Sequence, residues 1–200
     1  MNARVLALAG AALIALAFWQ HAHHPVTHAA GELVTDAPLQ QPLHAPPESL
    51  HKNGYTIKPL AQFALSARVL SRANYRWDRE AQLAQVDLAL GWGRMSDSSV
   101  LEKIDISQSG RFYFWHVDEF PIPESEIIQS SANMHLIPAD GEVERVIART
   151  RVGDVITFDG YLVEADGADG YRWVSSLTRS DTGAGACELV WVEHFDIAPR

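Results

Sequence analysis

The chain lacks a second cysteine. Cys187 stands alone among 200 residues, so no intramolecular disulfide can form and the fold must close on packing. A basic excess is missing too. Sixteen Lys and Arg face 25 Asp and Glu, for a formal net charge of −9. A nucleic-acid groove needs a basic stripe that displaces counterions, so no nucleic-acid partner is expected. The same acidity disfavours docking of the domain on anionic headgroups.

Charge is scarcest at the N-terminus. Arg4 precedes the run Val5-Leu6-Ala7-Leu8-Ala9-Gly10-Ala11-Ala12-Leu13-Ile14-Ala15-Leu16-Ala17-Phe18-Trp19. One positive charge before an apolar run is what the export machinery reads as a signal peptide or signal anchor. Arg4 is expected to stay in the cytoplasm while the chain beyond Trp19 crosses. A run of about fifteen residues is near the short limit for a hydrocarbon layer about 30 Å thick. Ala15-Leu16-Ala17 offers a cleavage site, and a second one ends at Ala29. Phe18 and Trp19 continue the run past the first site, which favours an uncleaved anchor over residues 1–20. The expected address is the inner membrane, single-pass, with the C-terminal domain in the periplasm.

Residues 21–54 read as a tether. Pro25, Pro38, Pro42, Pro46 and Pro47 fall there without any sustained apolar period, and such chain stays extended. Residues 55–200 are long enough for one domain with a core of its own. Phe63, Leu65, Ala67 and Val69 alternate as a strand. Residues 71–110 read as an irregular excursion with helical candidates at Gln82–Leu90 and Ser98–Ile104, broken at Gly91-Trp92-Gly93. Arg111–Val117 carries aromatics on both faces and is expected to be a central, covered strand with His116 in the core. Ser131–Ile137 is a third strand.

Asp140 then caps a helix in which Val143, Val146, Ile147 and Thr150 recur at i, i+3, i+4 and i+7. Strands at Val155–Glu164 and Tyr171–Thr178 flank a loop containing two Asp-Gly pairs. Glu188–Ile197 closes the chain. The fold class expected is mainly β (α+β). Its order of three strands, one principal helix and further strands resembles the small OB-like β-barrel, here with a long insertion. Arg151–Val163 resembles the fourth-strand region of such domains, in which a Gly-Asp turn leads into a strand that bends at a glycine. Gly160 would supply that bend.

Chemistry is sparse. Asp181-Thr182-Gly183-Ala184 matches the catalytic tetrapeptide of retropepsin-like aspartic proteases, but the polar segment Leu177-Thr178-Arg179-Ser180 stands where that family has an apolar strand. A turn is the simpler reading. Cys187 with His135 or His194, oriented by Asp181, would make a thiol site. A cysteine nucleophile needs a neighbouring base, and Glu188 would oppose the thiolate. The simpler reading is a small buried residue. His21, His23, His24 and His28 cluster after the apolar run, yet flexible chain gives metal ligands no fixed geometry, so no metal is expected. Trp77 and Trp92, in the excursion, are the tryptophans best placed to cover a ligand face.

Three further segments are distinctive: Ser175–Glu188, Asp87–Asp97 and Ser131–Pro138. They resemble signatures of a group of uncharacterised membrane-anchored proteins of Gram-negative bacteria. The resemblance spans roughly residues 55–197 and implies an anchored, exported protein without implying an activity. If the three segments converge, their polar members Asp87, Arg94, Asn133, His135, Arg179 and Asp181 form the working surface, with Trp92 beside them. The leading expectation is a non-enzymatic binding or interaction module of the envelope, held by the membrane, with an envelope protein partner and no cofactor. The alternative is an envelope hydrolase using Cys187 with a histidine.

Overall fold

The computed structural model describes residues 24–45, 47–178, 183 and 185–200. The expected anchor lies outside them, and no helix among the described residues is long and apolar enough to cross a membrane. The chain is mainly β. Its strands are β1 (Leu39–Pro42), β2 (Leu50–Lys52), β3 (Tyr55–Asn74), β4 (Val86–Gly91), β5 (Asp105–Ser109), β6 (Phe112–His116), β7 (Ser131–Pro138), β8 (Val155–Gly167), β9 (Arg172–Val174) and β10 (Glu188–Ile197). The α-helices are α1 (Ser98–Leu101), α2 (Glu124–Gln129) and α3 (Gly141–Ile147).

Five strands form a ring in the order β3-β4-β7-β10-β8, and β8 pairs back to β3. Every pair in the ring is antiparallel except β7 with β10. Strand β3 is 20 residues long and pairs with β8 along its first two thirds and with β4 at its end. Its register with β8 shifts at Pro59/Ala61, and with β4 at Val69/Ser71. Period-2 alternation turns Phe63, Leu65, Ala67 and Val69 inward, where they meet Leu88, Leu90, Met134, Leu136, Phe158 and Val190. Phe158 and Phe195 stack with centroids 5.8 Å apart. On β10 the register shifts between Val192 and His194. This bulge brings Phe195 into the core with Val190 and Val192 and leaves His194 outside.

Helix α3 lies between the third and fourth ring strands. Asp140 caps it, its carboxylate accepting from the amides of Glu142 (2.8 Å) and Val143 (3.0 Å). Val143 and Ile147 carry its buried stripe. Gly160 of β8 pairs with Val192 of β10, beside the β10 bulge. Its φ is +156°, and a Cβ there would lie 1.9 Å from the Trp191 carbonyl oxygen.

Three elements differ from the sequence reading. The segment expected to be helical at Gln82–Leu90 contains β4, buried along its whole length. A short run covered on both faces shows no alternation, so its period does not separate helix from strand. The insertion therefore falls between β4 and β7, over residues 92–130, rather than between the first two strands. Within it, β6 is no central strand: it pairs with β5 alone, as a hairpin outside the ring. Phe112, Phe114 and His116 face outward, and Tyr113 and Trp115 face inward. Aromatic residues on both sides reflect a hairpin packed on one face and open on the other.

Parts of the segment read as a free tether lie on the domain. Val26 N donates to Val152 O at 2.8 Å. Ser96 Oγ accepts from Leu33 N and Val34 N, and Gly93 N donates to Val34 O. Strands β1 and β2 add to β3. Proline-rich chain without apolar period still satisfies backbone groups along a sheet edge.

Candidate functional site

Strand alternation that turns Val86, Leu88 and Leu90 inward turns Asp87 and Ala89 outward. On β7 it likewise turns Asn133 and His135 outward. Register sets Asp87 directly opposite His135 and Ala89 opposite Asn133. Strand β10 runs parallel on the other side of β7, with Leu189 opposite His135. Cys187, two residues earlier, falls beside Asn133: Asn133 Nδ2 lies 3.7 Å from Cys187 Sγ. The outer face of three ring strands thus holds Asp87, Asn133, His135 and Cys187 together. The insertion covers that face, Ala89 packing with Met95, Ile104 and Ile127 beneath Ile106, Tyr113 and Trp115 of the hairpin.

Arg111 fastens the cover. The two residues of the β5–β6 turn, Gly110 and Arg111, have φ of +58° and +68°, as a twisted two-residue hairpin demands. A non-glycine residue there costs about 1–2 kcal/mol, and its side chain offsets this. Nε and Nη2 donate to the two carboxylate oxygens of Asp78 at 2.8 and 2.9 Å. Nη1 donates to Asp87 Oδ1 at 2.9 Å, and Nη2 to Ala84 O at 3.0 Å. The guanidinium stacks over Tyr75 at 4.1 Å and reaches Trp173 at 5.6 Å. Its backbone is held as well: the amide donates to Tyr75 Oη, and the carbonyl accepts from Asn133 Nδ2 (3.1 Å) and from Cys187 Sγ (3.8 Å).

Burial alone would lower the Arg111 pKa, but the Asp78 hydrogen bonds and the charges of Asp87 and Asp78 outweigh it and raise it. The same hydrogen bonds hold the Asp78 carboxyl below the usual carboxylate range. Asp87 is fully buried, and its second oxygen faces His135 Nδ1 at 2.9 Å, off the hydrogen-bond line. His135 leans on Trp173 with ring centroids 4.9 Å apart. Burial pushes the Tyr113 phenol up to about 12; its hydroxyl donates to Ser131 Oγ.

Two cavities meet at Cys187. One, of about 280 Å³, lies against β6 and is lined by Phe112, Phe114, Trp115, Asn133 and Cys187. The other, of about 400 Å³, is lined by Asp78, Glu80, Arg111, His135, Trp173 and Cys187. The first is walled by aromatics with few polar groups, the composition of a small-ligand or side-chain pocket. The second is polar and contains the buried histidine.

Of the residues singled out from sequence, Asp87, Asn133, His135 and Cys187 converge. Trp92 does not join them: it is 3 % exposed in the barrel core. Arg94 lies on the insertion surface, paired with Glu126 at 3.3 Å. Arg179 and Asp181 lie outside the described residues, as do Thr182 and Ala184 of the tetrapeptide. His194 sits seven residues along β10 from Cys187, about 23 Å in extended chain, and pairs with Asp159. His135 is therefore the histidine near Cys187. Cys187 itself is half-buried. His116 is 75 % exposed rather than in the core. Trp77 is 96 % exposed and covers nothing. His28 Nε2 lies 2.8 Å from the Gly153 carbonyl oxygen. Among the described residues no group of three His, Cys, Asp or Glu side chains is placed to hold a metal ion.

Sequence reasoning missed Arg111, Asp78 and Gln108. Gln108 donates to Asn133 Oδ1 at 2.6 Å. One signal was present: Ser109-Gly110 stands between an alternating run and an aromatic run, the mark of a tight hairpin turn. It places Arg111 at a turn rather than within a strand. Comparison with known proteins leaves the site to speak for itself, since no family model, no curated protein and no solved structure matches the chain.

Proposed function

We propose that the chain is an exported, membrane-anchored binding module of the bacterial envelope, built on an OB-like barrel whose ligand face has moved onto the insertion. Ring order, the parallel pairing of third and fifth strands, and a helix between third and fourth support the OB-like reading. Barrels of this kind bind chains across their second and third strands. Here that face is β4 and β7, and the hairpin seals it. The observation that carries the reading is the aromatic pocket under β6 and the surface beside it. Phe112 is 41 % exposed, Phe114 52 % and Phe120 52 %. Exposed aromatics on the hairpin, with Phe120 against its Trp115, mark an interaction surface. The charge balance points to a protein partner rather than a nucleic acid.

The test places a photo-cross-linking residue at Phe114 in cells, and separately at Ser66, which is on ring strand β3, away from the hairpin. One dominant envelope adduct from position 114, absent from position 66, supports the reading. Equal or absent adducts at both positions contradict it.

The hydrolase alternative has one observation in its favour, the Asp87–His135 pair beside Cys187. Against it, the Cys187 thiol donates to a carbonyl, Arg111 O. A nucleophile poised for acyl transfer would instead give its proton to the base.

A further inference from the structure

We propose that the end of the barrel where β8 begins docks on the bilayer, its arginines binding the phosphates of anionic lipid headgroups and Val152 entering among them. The inference rests on the anchored reading and adds which face of the domain meets the membrane. Chain length supplies the first argument. Seven residues lead from Trp19 to Val26, at most about 25 Å of extended chain, and a domain of this size is roughly 35–40 Å across. Val26 is fastened to the domain. Its amide donates to Val152 O at 2.8 Å, and its carbonyl oxygen lies so close to Gly153 that a Cβ there would be 1.9 Å away. Two residues on, His28 Nε2 lies 2.8 Å from Gly153 O, and the Ser98 hydroxyl donates to His28 O at 3.0 Å. An anchor ending at Trp19 therefore keeps the Val26–Val152 surface next to the headgroups.

Charge supplies the second argument. The net charge of −9 disfavours docking of the domain as a whole on an anionic surface, but that charge is unevenly spread. Arg145, Arg149 and Arg151 fall within residues 145–154 beside a single acid, Asp154. Asp154 is buried and neutralised by Arg200, whose Nε and Nη2 donate to its two oxygens at 2.8 and 2.9 Å. Arg72 joins the group from β3, donating to Ala148 O just past the end of α3. Arg145 and Arg149 likewise donate to backbone carbonyls, those of Gly141 and Arg145, which leaves further N–H groups for phosphate oxygens. The acid on the other side is Glu102, which lines a cleft with Val26, Leu101 and Val152; Glu144 of α3 turns away, toward Lys52. Val152 is 36 % exposed on the turn that follows Arg151. An apolar side chain among arginines suits the headgroup boundary, where the valine leaves water and the guanidiniums reach phosphates. Each arginine near an anionic surface strengthens the contact about fivefold, an effect that fades within a Debye length of about 8–10 Å.

The test uses the full chain in nanodiscs of phosphatidylcholine, with or without phosphatidylglycerol, each carrying a nitroxide on the lipid headgroup. A dansyl amino acid is placed at Val152 and, separately, at Ala168. Ala168 is exposed on the loop at the far end of β8, about 40 Å away in extended chain. With phosphatidylglycerol present, the nitroxide is expected to quench position 152 and to leave position 168 unquenched. Omitting phosphatidylglycerol, or adding salt, is expected to remove most of that quenching. Arg149→Gln combined with Arg151→Gln is expected to weaken docking about 25-fold and so to remove it as well. Equal quenching at the two positions overturns the proposal. So does quenching at 152 that is indifferent to lipid charge and salt, which would mark nearness imposed by the anchor alone. If the double variant does not fold, the lipid and salt series with the parent arginines decides. Carbonate extraction of cell membranes tests the anchored reading separately. A released chain defeats that reading and this inference together, whereas a retained chain without selective quenching at 152 defeats this inference only.

Discussion

Replacing Arg111 with methionine removes the charge that fastens the hairpin to the barrel while keeping an unbranched side chain. The Arg111 side chain is 10 % exposed and that of Asp87 0 %, so the variant leaves the Asp87 carboxylate buried with only His135 beside it. Asp78 is one-third exposed, and water screens its share of the loss. Breaking a buried pair by deleting one partner costs about 3–5 kcal/mol. Methionine keeps the left-handed backbone at 111, so no relief of strain offsets the loss. With a urea slope of about 2 kcal/mol/M, the unfolding midpoint falls by roughly 1.5–2.5 M. Urea unfolding followed by tryptophan fluorescence measures it. A second variant makes the reasoning sharper. Adding Asp87→Asn removes the orphaned charge, so the double variant is expected to be more stable than Arg111→Met alone. A loss below about 1 kcal/mol for Arg111→Met, or a double variant that loses the full sum of both changes, refutes the clamp.

Other consequences are as specific. Gly160→Ala drives a methyl to 1.9 Å from the Trp191 carbonyl oxygen. It is expected to cost about 1–3 kcal/mol or more by forcing β8 and β10 apart, read as a lower thermal midpoint. Ser96→Ala deletes the hydroxyl that accepts from Leu33 N and Val34 N, so those amides are expected to exchange hydrogen faster while β7 amides keep their protection. The hydrogen bond and charge of Asp159 raise the His194 imidazole above its usual 6.5. The charged pair therefore contributes below that value and is lost as pH rises through the raised one. An NMR titration is expected to show the elevated midpoint, and Asp159→Asn to bring it back.

Where one face of an element is buried and the other wet, its pattern could be read. β10 was legible to its ends, and α3 was legible through Asp140 and the stripe at Val143 and Ile147. Gly160 was legible as a position that requires glycine, because it interrupts an otherwise apolar strand. β4 was hidden because Val86–Gly91 is buried on both sides. The docked N-terminal segment was hidden because its bonds run through backbone atoms, which composition does not report. The site was legible by residue type and hidden in its pairing. Asp87 and His135 are 48 positions apart, and only the β4–β7 register sets them face to face. Arg111 was overlooked because its side chain leaves the hairpin turn and enters the barrel's outer face, a contact that local pattern does not encode.

The central claim is that one exported domain holds its single thiol at a cavity on its working face, and labelling of Cys187 in intact spheroplasts tests it most directly. The account predicts modification by a membrane-impermeant maleimide without lysis and without denaturant. Labelling that requires membrane rupture would place the domain on the other side. Labelling that requires unfolding would bury the thiol away from both cavities.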